Sequence, residues 1–221
     1  MEDLKNYRKK EIPILLLGNI LVLLYMLEVF DTSMISIENK NWLGTIILSI
    51  LNSTVLSSIL YIFTIILDGL LNDRTKYKLI YLFCGKMPGE TVFSDIKKNN
   101  KDIRFSYDVL EKIHPEIYNN MPNERSRCYK YENNEWYKLL KKHKSENMVF
   151  QSHRDSLMYR DMYCSNIELL AIYLSLSAGF KIVEFNWYYV IFLAISILLL
   201  NIAARNKAKR FVYNVIASEV S

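Results

Sequence analysis

The residues best equipped for chemistry crowd into one stretch, SHRDSLMYRDMY, from Ser152 to Tyr163. Its His153-Arg154-Asp155 triplet has the order of a phosphotransferase catalytic loop, where an Asn five residues after the Asp holds a metal ion. Arg160 stands at that position. No glycine-rich phosphate loop lies upstream, and no second metal-binding acid motif follows. Ser, His and Asp occur elsewhere without a nucleophile-elbow context, and the paired acids of two-metal chemistry are not evident. Glu116, Glu124, Glu132 and Glu135 are scattered among basic neighbours and read as surface charge. Cys84, Cys128 and Cys164 are odd in number and lack CxxC spacing, and His114, His143 and His153 supply no paired zinc-ligand spacing. The reading is a non-enzyme with no catalytic residue, no metal, no cofactor and reduced thiols.

Binding chemistry is better represented. Residues 72–165 hold 18 Lys and Arg against 13 Asp and Glu, an excess equal to the whole formal charge of +5. They also hold 14 Phe, Tyr and Trp. Basic and aromatic residues interleave in DIRFSYD and in ERSRCYKYENNEWYKLLKKHK. Single-stranded nucleic acid suits that mixture, because cations neutralise phosphates while flat rings stack on unpaired bases. The phosphate candidates are Lys97, Lys98, Arg104, Arg125, Arg127, Lys141, Lys142, Arg154 and Arg160. Trp136 and Tyr137 are the stacking candidates, with a place in the helical core as the alternative for Trp136.

The elements that must position these residues follow from hydropathy. Ile12–Phe30, Trp42–Leu67, Ile167–Val183 and Tyr188–Ala204 are apolar runs near the 17–25 residues a spanning helix needs. No small-residue cleavage site follows the first, which reads as a retained helix. Lys5, Arg8, Lys9 and Lys10, then Arg74, Lys76 and Lys78, then Arg205, Lys207, Lys209 and Arg210 flank alternate ends of the runs. The intervening 31–41 and 181–187 loops carry only Lys40 and Lys181. The basic bias places both termini and the polar middle in the cytoplasm of a multi-pass protein. The expected fold is an all-α membrane protein: a hairpin in 1–71, a helical cytoplasmic ligand-sensing domain in 72–165, and a second hairpin with a basic tail in 166–221. Strands, if present, belong in 84–105.

Within the middle, ETVFSDIKK predicts a short helix after the Pro88-Gly89 turn, and SYDVLEKI predicts another capped by Ser106 and ended by Pro115. Cys128, Tyr131, Trp136, Leu139 and Leu140 form an imperfect helical stripe. SHRDSLMYRDMY reads as helix continuing into the third run. At helical spacing His153, Leu157, Arg160 and Cys164 share one side, and Arg154, Met158 and Asp161 another. The stretch is then either a stalk of local ion pairs at a phospholipid surface or a rigid linkage between ligand and gate.

The second apolar run carries Thr45, Ser49, Asn52, Ser53, Ser57, Thr64 and Asp68 within about 160° of helical arc, while Thr54 and Ser58 fall opposite. Such hydroxyls either bond neighbouring helices or line water. Thr45, Ser49, Asn52, Ser53 and Ser57 are the pore-lining candidates. A channel from so thin a subunit requires a homo-oligomer with cyclic symmetry, taken as a tetramer.

With its two hairpins, helical insert and the blocks PGETVFSDI, NNEWYKLLKKH and SHRDSLMYRD, the chain resembles the four-helix membrane effectors of bacterial anti-phage systems. It looks like the channel subunit of Hailong systems, with the Kiwa membrane subunit as a rival. The resemblance implies an inner-membrane channel held closed by short single-stranded DNA from a partner nucleotidyltransferase, opening to depolarise the cell in abortive infection. A non-conducting, membrane-tethered module that recruits a cytoplasmic or phage component is the alternative.

Overall fold

The computed structural model describes residues 4–27, 42–82, 85–100 and 102–221, without the side chains of residues 42, 43, 45, 46 and 49. The loop around Lys40, Cys84, and the side chains of Thr45 and Ser49 therefore lie outside the described residues. The described chain is helical, with no strand among the described residues. It divides into an apolar unit, residues 6–76 and 161–201, and a polar unit comprising residues 77–160, residues 202–221 and the few residues before Asn6.

In the apolar unit a short 3₁₀ turn (Asn6–Lys9) precedes α1 (Glu11–Met26), which carries Pro13 in its first turn, where a missing N–H does little harm. α2 (Trp42–Leu70) contains no proline, and four of its hydroxyls are satisfied within the helix. Thr54, Ser57, Ser58 and Thr64 each donate to the carbonyl four residues back, at 2.6–2.8 Å. That bonding lets polar side chains sit in an apolar helix without a partner helix. Asn72 ends the run and caps α3 (Asp73–Tyr81) by accepting from the Thr75 amide at 2.8 Å. The later part of α8 (Asn147–Leu174), a π turn (Ser175–Gly179) and the first half of α9 (Trp187–Val220) complete the unit.

Its core is Leu16, Ile20, Leu23 and Leu24 of α1 against Leu60, Leu169, Tyr173, Tyr189 and Leu193. Much of its apolar surface is left outside. Ile47, Leu51, Val55, Ile62 and Ile66 on α2, and Ile195 and Leu198 on α9, are all about half exposed or more. Among the described residues, two helices are long and apolar enough to cross a membrane: α2 over Ile50–Leu70, whose most apolar stretch has mean hydropathy 2.0, and α9, whose most apolar stretch has 2.1.

The polar unit is built around α7 (Arg125–His143). A 3₁₀ turn (Pro88–Glu90) leads into α4 (Val92–Asn99), then come α5 (Tyr107–Ile113) and α6 (Pro115–Asn119). Ser106 caps α5 by accepting from the Val109 amide at 3.3 Å, as its sequence position predicts. Pro115 ends α5 and opens α6 at its first turn, where proline is preorganised. Val92, Phe93, Ile96, Leu110, Ile117, Trp136 and Leu139 pack with Phe211, Val212, Val215 and Ile216. The last turns of α9, expected as a basic tail outside the 72–165 domain, thus supply a third side of that domain's core.

One carboxylate was misread from sequence. Glu132 is fully buried rather than on the surface. It accepts from the Phe93 and Ser94 amides at 2.8 and 3.0 Å, and so satisfies the orphan donors at the start of α4.

Candidate functional site

The charged stretch on α8 is not a solvated stalk. In the polar unit, His153 stacks on Phe211 of α9, with ring centroids 4.4 Å apart and planes 3° from parallel. Burial, then the charges of Arg160 and Lys5, push its pKa down to about 4, so the ring is neutral at pH 7. Asp155 accepts from Lys207 of α9 at 2.7 Å. The Arg160 guanidinium, 1% exposed, lies 5.0 Å from the centre of the Tyr77 ring. The three side chains attach α8 to α9 and α3, so the spacing that resembled a catalytic loop serves packing.

Asp161, one residue on, belongs to the apolar unit and gathers the charges there. Its Oδ2 accepts from the Tyr7 hydroxyl at 2.8 Å and from Arg8 Nε and Nη2 at 3.0 and 2.6 Å. Lys76 Nζ stands 3.6 Å from Asp161 and is ion-paired with Asp68, which itself lies 3.9 Å from Arg8. Two cations and two carboxylates from four elements therefore balance in a cluster whose Asp161 and Lys76 side chains are almost wholly buried. Burial, with the Asp161 charge beside it, holds the Tyr7 hydroxyl protonated far above the usual phenol range. A cavity of about 170 Å³ opens beside the cluster, lined by Arg8, Thr64, Asp68, Asp161 and Ser165 with Ile12, Leu16 and Ile65. Further along α8, Asn166 accepts from Asn19 of α1 at 2.8 Å and donates to Ser196 of α9 at 2.7 Å. Asp161, Ser165 and Glu168 recur at three- and four-residue spacing, so all three share one side of α8, and all are buried.

Sequence reasoning saw Arg8 and Lys76 only as flanking positive charge, and Asp161 only as part of a stalk. The missing information was partnership across 150 residues of chain.

The nucleic-acid candidates divide. Lys97, Lys98, Arg125, Arg127 and Lys141 are exposed, on α4 and on α7. Arg127 is 2.8 Å from Glu124, and Lys97 lies 5.9 Å from the centre of the Tyr107 ring. Arg104 is held by both carboxylate oxygens of Asp102 and donates to Asn214 at 2.8 Å. Lys142 donates to Glu219 at 2.7 Å. Arg154 is half-buried. Two assignments are corrected. Arg160 is inside the protein and cannot meet a phosphate. Trp136 is 5% exposed, its indole N–H donating to the Val212 carbonyl at 3.3 Å, so it takes its alternative place in the core and offers no face to a base. Tyr137 beside it is 48% exposed, with its ring 5.0 Å from that of Trp136.

Among the pore candidates, Asn52 is exposed and Ser57 half-buried, but Ser53 is buried within its own subunit and does not face outward. Thr54 and Ser58, on the opposite arc, are exposed. Polar groups on α2 thus fail to segregate onto one surface. Among the described residues no group of His, Cys, Asp and Glu is arranged to hold a metal ion. Comparison with protein-family models, curated proteins and solved structures finds no match to this chain.

Proposed function

We propose that the protein is a multi-pass inner-membrane channel subunit, with four spans in two hairpins, whose helical cytoplasmic unit responds to an anionic ligand. The observation that carries the reading is the contrast on the apolar unit. Its outer surface exposes rows of Ile, Leu and Val, as a lipid-facing surface does, while its charges are gathered inside. Asn52, Thr54 and Ser58 interrupt those rows on α2. An amide held against lipid is costly, so a second copy of the chain or a water-filled path would cover it. This supports a homo-oligomer in which α2 approaches its symmetry mates, with Asn52 toward the path. A short single-stranded oligonucleotide from a partner nucleotidyltransferase is the ligand we propose, approached by Lys97, Lys98, Arg125 and Lys141, and anti-phage defence is the role. The separate core of the polar unit favours one further reading, a tethered binding module that does not conduct.

Reconstitution into lipid vesicles separates the two. Vesicles holding the purified protein should pass ions when no oligonucleotide is present, and added short single strands should slow the flux. Asn52→Leu should reduce conduction without preventing assembly. Vesicles that stay sealed with and without single strands would rule out the channel and leave the tether.

A further inference from the structure

The polar unit contains a second set of charges, built differently from the first. The Glu219 carboxylate, near the end of α9, is 4% exposed and receives three side chains from other elements. Lys142 Nζ of α7 is 2.7 Å from Oε1, His114 Nε2 before α6 is 3.0 Å from the same oxygen, and His143 Nε2 of α7 meets Oε2. Each imidazole is also gripped from behind. His114 Nδ1 is 2.9 Å from Glu116, and His143 Nδ1 meets Glu146.

A neutral imidazole has one N–H and one lone pair. Here all four ring nitrogens face carboxylate oxygens, which accept and cannot donate when ionised. With neutral rings, at least one contact per histidine would set a lone pair against a negative oxygen. Charge gives the same answer. Glu146 and Glu219 carry two negative charges against Lys142, so His143 balances them when it carries an added proton. Lys138, paired with Glu135 at 2.7 Å and acting weakly on Glu116, is the other cation near the set.

We propose that His143, protonated and paired with Glu219, is a one-proton latch that holds the last turns of α9 against α7, and that rising pH releases it. Burial of His143 works against its charge, but its bonds to Glu146 and Glu219 win and raise its pKa above the ordinary imidazole value. Glu219 moves the other way. Its bonds to Lys142, His143 and His114 overcome burial and lower its pKa to about 2. A raised histidine contributes its stability below the unfolded-state pKa and loses it as pH climbs through the folded value; a lowered carboxylate loses its contribution only as pH falls toward about 2. The latch is therefore shut at mildly acid pH and opens as pH climbs through the raised titration of His143. α9 is also one of the two helices, among the described residues, apolar enough to cross a membrane, so on the channel reading proposed above its end is a direct place for pH to act on conduction.

The test uses the full chain in detergent or nanodiscs and does not depend on conduction. Nitrogen-15 NMR of labelled histidine should show His143 doubly protonated at about pH 6, below the ordinary imidazole value, with His153 neutral. Hydrogen exchange at residues 215–221, corrected for its intrinsic pH dependence, should rise at least about tenfold across the imidazole titration, as expected for losing charged hydrogen bonds. His143→Asn should remove that pH dependence and leave the end of α9 open at all pH values. A singly protonated His143 ring at about pH 6 would overturn the latch, and this measurement needs no variant. A flat exchange profile in the wild type, or a wild-type profile in His143→Asn, would overturn it equally.

Discussion

Each unit of the molecule gathers charges inside itself, but with different chemistry. Around Asp161 the partners are Arg8, Lys76 and Tyr7, a guanidinium, an amine and a phenol, residue types whose ordinary pKa values lie well above neutral. Around Glu219 two of the three donors are imidazoles. The first cluster is fixed and the second is adjustable. Their surroundings differ in the same sense. Asp161 and Lys76 are each 2% exposed, whereas Lys142, Glu116 and Glu146 keep about half or more of their side chains in water. A protein that needs a permanent tie inside an apolar unit and a releasable one near water would be built this way.

The strongest challenge to this contrast is removal of Asp161. Asp161→Ala leaves Tyr7, Arg8 and Lys76 facing a void, and breaking a buried pair in this way costs about 3–5 kcal/mol. Unfolding in mixed detergents should show this loss at every pH from 5 to 9, whereas Glu219→Gln should destabilise strongly at neutral pH and less on the alkaline side. If Asp161→Ala were as stable as the parent, the fixed tie would not exist.

Next in size is Trp136→Ala, which empties the centre of the polar core and should cost about 3–5 kcal/mol, read by chemical denaturation. Gly89→Ala tests the same packing from the other side. A Cβ there would lie 3.0 Å from Asn133 Oδ1 and 3.1 Å from the Trp136 ring, so about 1–3 kcal/mol of overpacking is expected. Tolerance of both changes would mean that Trp136 is not confined and remains able to stack on a base.

Smaller effects distinguish surface from site. Lys97→Ala, Lys98→Ala and Lys141→Ala should leave stability unchanged but weaken single-strand binding in fluorescence anisotropy. Each lost phosphate contact should flatten the salt dependence by about 0.7 log units per log of salt. Binding indifferent to salt would remove the oligonucleotide from the proposal. Least of all, Arg127→Ala breaks an exposed pair with Glu124 and should shift stability by about 0–1 kcal/mol.

What the sequence determined by itself was local. Helices follow from apolar spacing, Ser106 and Pro115 mark the α5–α6 boundary, and α8 runs unbroken through SHRDSLMYRDMY because nothing in 147–174 interrupts it. The apolar character of α2 and of the first half of α9 was equally plain, since it depends on composition within a single segment. What only the tertiary structure decided was partnership. Glu132 looks like any surface glutamate until α4 places its N-terminus over it, and Arg160 looks like a phosphate ligand until Tyr77 covers it. RFVYNVIASEV follows a run of basic residues and reads as a tail, but Phe211, Val212, Val215 and Ile216 face the polar core. The physical reason is the same in each case. A charge or ring acquires its role from the dielectric and the partner it meets, and here that partner stands 39 to 154 residues away along the chain.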